Sequence, residues 1–190
     1  MGIFNDHASP EAIEEQVRLL ALQKMIQESI AYCLSPGATV VETPDPKNWV
    51  SELYKVIDGG DILCEGILAE RLKQEQGRQI IKMDAKSFRK DGAIGFMFTL
   101  FKLPKESKPI VIIENIADIP TGDPAIYDDP IFVENTLLHS WKSNIVHLTH
   151  PQNGAFELHR EDYTVLFPIM PGGLGQLHSR LPDGIGLLQL

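Results

Sequence analysis

Ile110-Val111-Ile112-Ile113 runs straight into Glu114-Asn115-Ile116. Four consecutive β-branched residues without polar alternation fit a strand buried on both faces, as found in parallel sheets covered by helices. The acid and the amide at its end are then delivered to the sheet's carboxyl edge, where ligands bind in open α/β folds. Few architectures accept such a strand, and the rest of the chain can be tested against them.

The flanking segments alternate between helical and strand patterns. Ser9-Pro10-Glu11 is a helix start, with a capping hydroxyl, proline at the first helical position and an acid near the positive end of the dipole. The helix is expected to reach about Leu34 and to stop before Pro36-Gly37. Leu19, Leu22, Ile26, Ile30 and Cys33 share one face and Ile13, Val17 and Leu20 another, so contact on two sides is expected, with the core or with a partner.

Residues 38–42 read as a short strand. Asp45-Pro46 repeats the helix-start signal ahead of Trp49, Val50, Leu53, Val56 and Ile57. A further helix is expected over about 61–76, then a strand Gln79-Ile80-Ile81-Lys82-Met83-Asp84. Phe96, Met97, Leu100 and Phe101 mark a helix closed by Pro104. Residues 120–130 form a turn-rich loop. Phe132, Val133, Leu137 and Trp141 mark another helix, and strands follow at 144–149 and 163–169. The expected fold is therefore α/β, a three-layer parallel sheet with helices on both faces. From Pro171 the chain is rich in Gly and Leu without helical period, and either a strap over the domain or a segment ordered by a partner fits it.

The 190 residues suit one domain with an appendage. A formal charge of −9 argues against a broad nucleic-acid-binding surface. Cys33 and Cys64 stand far apart in no metal-ligand spacing, so two buried free thiols are expected. No apolar run approaches the ~20 residues that span a bilayer. Residues 1–10 carry neither a basic nor an apolar leader pattern. A soluble cytoplasmic protein is the resulting expectation.

From about residue 59 to 171 the order of these segments resembles the core of an AAA+ ATPase, a P-loop NTPase-like fold. Lys108-Pro109-Ile110-Val111-Ile112-Ile113-Glu114-Asn115 is similar to the family's Walker B strand, with Glu114 and Asn115 in place of Asp-Glu. Ile67-Leu68-Ala69-Glu70-Arg71-Leu72 looks like the helix after the phosphate loop, which places a vestigial Walker A at Gly59, Glu65 and Gly66. Ile145-Val146-His147-Leu148-Thr149-His150 sits where the family carries its sensor residue, making Thr149 and His150 sensor-like. Arg160-Glu161-Asp162-Tyr163 resembles the approach to the fifth strand, with Arg160 as an arginine contact. The resemblance implies a division into an N-terminal helix (1–36), an AAA+-like core (37–171) and a tail (172–190). The helical lid that follows the family's core has no counterpart.

The departures fall on the chemistry. A phosphate loop needs glycines, a lysine and a hydroxyl. Counting back from Ile67, the lysine position holds Glu65 and the hydroxyl position Gly66. The alternative register after residues 38–42, Thr43-Pro44-Asp45-Pro46-Lys47-Asn48, has a lysine but no glycine and two prolines. Asn115 is an amide and cannot act as a general base. Among other constellations, His147 and His150 three apart on a strand point to opposite faces and share an ion poorly. Asp118, Asp123, Asp128 and Asp129 form an acidic stretch, read as a solvated loop or a cation site. Ser140 and Ser143 near His139 and His147 lack any nucleophile-elbow pattern. The expectation is a non-catalytic adaptor with no cofactor and no metal, working with a protein partner or as an oligomer. The alternative is a nucleotide-binding ATPase subunit using ATP and Mg²⁺ through Lys47, Glu114 and Arg160.

Overall fold

The computed structural model describes residues 9–190. The expectation drawn from residues 1–10 therefore lies outside the described residues up to position 8. Five helices and seven strands follow, in the order α1 (Pro10–Cys33), β1 (Gly37–Glu42), α2 (Pro46–Ile57), α3 (Gly66–Glu75), β2 (Ile80–Asp84), α4 (Gly92–Phe101), β3 (Ile110–Glu114), α5 (Pro130–Leu137), β4 (Ile145–His150), β5 (Gly154–His159), β6 (Thr164–Ile169) and β7 (Gly186–Gln189).

The helix starts are those the sequence encodes. Ser9 Oγ accepts the Ala12 N–H at 3.2 Å, and Asp45 Oδ1 accepts the Asn48 N–H at 3.0 Å, each with proline as the next residue. α3 begins later than its pattern suggests, because Gly66 takes a φ of +62° and the chain from Asp61 to Glu65 runs as an irregular segment.

Five strands form one parallel sheet in the order β2-β3-β6-β1-β7. Alternate residues of its central strands face two separate apolar clusters. Ile110, Ile112, Leu166 and Val41 meet α1, α2 and α3 on one face. Val111, Ile113, Val165, Phe167 and Val40 meet α4 and α5 on the other. Every residue of β6 and the first four of β3 are buried, as strands packed on both sides require.

Two strand expectations are corrected. Residues 145–150 do not join the parallel sheet. Gly154, with a φ of +78°, closes a hairpin, and β4 pairs antiparallel with β5 instead. The hairpin lies over α4, where Phe156 meets Phe98 and Phe101 with ring centroids 5.3 and 5.6 Å apart. β6, the fifth strand by the resemblance, is consequently the fourth strand of the parallel sheet in chain order and lies between β3 and β1. The edge position goes to β7, drawn from the Gly- and Leu-rich tail, which pairs in parallel with β1.

At the amino edge, one cation binds three elements. Arg78 Nη1 donates to Leu34 O at 3.1 Å, Nε to Lys108 O at 2.9 Å and Nη2 to Thr164 Oγ1 at 2.9 Å, and its guanidinium pairs with Glu75. The Thr164 hydroxyl in turn donates to Leu34 O at 3.1 Å. The end of α1 and the starts of β3 and β6 are tied at one point.

Candidate functional site

The carboxyl edge opens into a cleft of about 660 Å³, walled by the loop after β1, the ends of β2, β3 and β6, and the first turn of the tail. The backbone explains why it opens there. Along β6 even-numbered residues direct their N–H toward β3, as Thr164 does to Pro109 O, while odd-numbered ones face β1. Pro168 is even-numbered and has no N–H to give. Pairing between β3 and β6 stops at Ile112 opposite Leu166, whereas β1 and β6 stay in register through Ile169. The strands part beyond that point, and Pro168 lines the cleft they leave.

Four carboxylates and two lysines line it: Asp45, Asp84, Glu114 and Asp118, with Lys47 and Lys86. Each carboxylate is already engaged. Glu114 lies 3.6 Å from Lys82 Nζ, and Asp118 lies 3.4 Å from Lys86 Nζ. Asp84 Oδ1 accepts the Lys86 backbone N–H at 2.9 Å and the Asn115 side-chain amide at 2.8 Å. Asp45 caps α2. Asn115 reaches Asp84 because its backbone is left-handed, with a φ of +59°, a conformation asparagine tolerates better than most residues.

Of the residues singled out in the sequence, Glu114, Asn115 and Asp118 lie in this cleft together with Pro44, Asp45, Pro46 and Lys47 of the alternative register, and the remaining candidates lie elsewhere. Glu65 caps α3 without a side-chain hydrogen bond, exposed and 3.9 Å from Lys24. Gly59 lies two residues beyond the end of α2, and Gly66 starts α3. Thr149 and His150 end β4 in the hairpin, Thr149 exposed and His150 packed on the Phe98 ring at 4.9 Å. His150, although sensor-like by its place in the sequence, does not share the carboxyl edge with Glu114, since β4 is not part of the parallel sheet. His147, on the opposite side of β4, pairs with Glu157 at 3.0 Å. Arg160 sits at the amino side of β6, donating to Trp141 O, Gly184 O and Asn144 Oδ1 at 3.3, 3.1 and 3.0 Å. Its contacts hold the tail.

The acidic stretch is spent locally. Asp123 accepts the Ala125 N–H, Asp129 the Ile131 N–H at the start of α5, and Asp128 the Asp91 N–H at 2.8 Å. Burial pushes the Asp128 carboxyl above its usual range despite that hydrogen bond. Among the described residues, no group of three or more His, Cys, Asp or Glu side chains is arranged to hold a metal ion, and no helix is long and apolar enough to cross a membrane.

A second polar cluster escaped the sequence reading. Glu134 of α5, 1% exposed at its side chain, accepts from His139 Nε2 at 3.0 Å, the His178 backbone N–H at 2.9 Å and the Ser179 hydroxyl at 2.7 Å. Burial raises its pKa, but the hydrogen bonds from Ser179, His178 and His139 outweigh it and hold the carboxyl below its ordinary value. Ser179 Oγ also lies 2.7 Å from His139 Nε2. Serine and carboxylate thus meet the same imidazole nitrogen, whereas a nucleophilic triad needs them on opposite nitrogens. The cluster is an anchor for the tail that supplies β7.

No protein-family model matches the chain, and no curated protein is similar to it.

Proposed function

We infer that the protein is a non-catalytic, AAA+-like structural or adaptor module of the cytoplasm that acts through contacts with other protein chains. Numbered by position along the chain, the five strands of the parallel sheet fall in the order 5-1-4-3-2, the order that the resemblance to a P-loop core implies, which supports the P-loop-like reading with helical layers over both faces. The observation that carries the non-catalytic part is the Asp45 carboxylate. The loop from β1 to α2 is where such a fold holds phosphates on the free N–H groups of a helix start. In this chain Asp45 accepts the Asn48 N–H there, while Pro44 and Pro46 have none to offer. An internal anion takes the place of an external one, and a triphosphate arriving there would meet its charge.

The opposing carboxylates support the same reading. The Asn115 side-chain amide is engaged by Asp84, and Glu114 and Asp118 are paired with lysines. Titration with labelled ATP in the presence of Mg²⁺ tests the inference. No saturable binding in the micromolar range is expected; micromolar affinity would overturn it.

One observation favours the alternative of a nucleotide-binding subunit with an atypical loop: Lys47 lines the same cleft as Glu114. On that reading Lys47→Ala and Glu114→Ala each weaken ATP binding. Arg160 contributes nothing to it from within one chain, because its guanidinium is engaged at the amino side of the sheet.

A further inference from the structure

α1 is 24 residues long, about 36 Å, yet it rests on the domain only along its second half. Residues 10–22 are all exposed, the first side-chain tie is Gln23 Nε2 to Glu52 Oε1 at 2.9 Å, and the first buried residue is Ile26. About 20 Å of helix therefore stands clear of the fold. A free helical segment of that length is marginal in water unless its apolar side is covered.

This overhang is not a solvated helix by composition. Ile13, Val17, Leu19, Leu20, Leu22 and Met25 are 46 to 62% exposed. Ile13, Val17 and Leu20 form one stripe at spacings of four and three. Leu19 and Leu22 prolong the stripe that Ile26 and Ile30 bury against the domain. Two adjoining apolar stripes ask for a neighbour that lies along the helix.

The charges say which neighbour. Glu11, Glu14 and Glu15 occupy the outer part of the overhang, Arg18 its inner part, and Lys24, 3.9 Å from Glu65, the turn where the helix meets the domain. Laid against a copy of itself in antiparallel sense over residues 10–25, the segment sets Glu11 opposite Lys24 at both ends with Arg18 near the centre, whereas a parallel pairing aligns like with like. Such self-complementarity is the requirement of a two-fold interface. Antiparallel pairing also sets the two domains, each part of a chain of net charge −9, at opposite ends of the helix pair. The separation of about 20 Å exceeds the Debye length of ~8 Å at physiological salt, so their repulsion is screened.

We propose that residues 10–25 of α1 form an antiparallel two-helix interface with a second copy of this chain. The proposal rests on the reading of the protein as an interaction module and names that module's first partner as itself.

Sedimentation equilibrium or light scattering of the full chain tests it. A species of twice the 21.2 kDa chain mass is expected at micromolar concentration; a monomer throughout that range would overturn the proposal. Val17→Glu with Leu20→Glu is expected to yield a monomer with unchanged melting temperature, since neither side chain is buried in one chain; a persisting dimer would refute the assigned surface. Orientation has its own arm. Glu11→Lys, Glu14→Lys and Glu15→Lys together weaken association at least roughly tenfold, and adding Arg18→Glu and Lys24→Glu in the same chain restores it. A failure of that rescue refutes the antiparallel arrangement. ATP titration of the same samples separates the two readings: a monomer that ignores ATP removes this proposal alone, and a dimer that binds ATP removes only the non-catalytic reading.

Discussion

The Asn115 side-chain amide donates to Asp84 Oδ1 across 2.8 Å, joining the ends of two neighbouring strands at the point where the sheet begins to open. An amide is required there by its neighbour, not merely tolerated. A carboxylate in its place would lie a hydrogen-bond length from another carboxylate, with both partly buried.

Asn115→Asp is accordingly expected to destabilise the fold by about 1–3 kcal/mol at pH 7, through lost hydrogen bonding and like-charge repulsion. One of the two acids would have its folded-state pKa raised above the unfolded value, so the penalty should shrink as pH falls. Urea denaturation at pH 7 and pH 5 checks this. A loss of equal size at both would show that the cost does not arise from paired charge.

The tail anchor has the opposite pH signature. Glu134 is held below its ordinary pKa in the fold, so its contribution is fully present above the unfolded carboxylate value of about 4.3 and is lost as pH falls through the depressed folded value. Glu134→Ala should detach His178 and Ser179 and loosen β7 at neutral pH. Amide hydrogen exchange should then rise over residues 186–189 and along β1 while α4 stays protected. Unchanged exchange in β7 would mean that its ladder with β1 holds the tail without the anchor.

Arg78 should be the most costly surface-proximal side chain to remove. Arg78→Ala leaves the carbonyls of Leu34 and Lys108 and the Thr164 hydroxyl short of a donor, an expected loss of about 2–4 kcal/mol. Arg78→Lys recovers little of it, because an ammonium cannot span three acceptors set in a planar fork. Chemical denaturation of both variants measures the difference, and full recovery by lysine would show that charge alone matters.

Thiol chemistry offers a fourth check. Burial pushes the Cys33 thiol up to about 12, against an opposing pull from Arg71, and burial likewise raises Cys64. Both thiols should resist alkylation at pH 8 in the native protein and react together on unfolding. Rapid native labelling of Cys33 would contradict its place between α1 and the sheet.

Local signals in the chain carried much of this architecture. Ser9-Pro10 and Asp45-Pro46 mark α1 and α2 because caps act over three residues, and β3 is legible because nothing polar interrupts Ile110 to Ile113. Elements defined by distant partners were not legible. β4 has the composition of a sheet strand, and only the turn at Gly154 and the alternation of Phe156 and Leu158 reveal its hairpin mate. β7 is four residues of Gly, Leu and Gln that become a strand only because β1 offers an open edge. At the site, Glu114 and Asn115 were found from their strand. The Asp45 cap was legible from Asp45-Pro46 itself, but its place in one cleft with Glu114 was not, because that depends on β6 lying between β1 and β3. The Glu134 anchor joins residues 44 and 45 positions apart, a distance over which composition carries no information.

The order of the strands also governs how the molecule must be assembled in time. β1 is among the first segments of the chain, yet both of its neighbours, β6 and β7, come from the last third, and the Thr164 to Leu34 hydrogen bond closes a loop of 130 residues. Nothing nearby in sequence can satisfy its backbone meanwhile. Contacts of such separation are slow to form, and an unpaired apolar strand is a site for wrong pairing while it waits. Val40 and Val41 are therefore the residues that chaperones have most reason to shield during synthesis, and refolding from denaturant should be limited by the arrival of β6 rather than by the early helices.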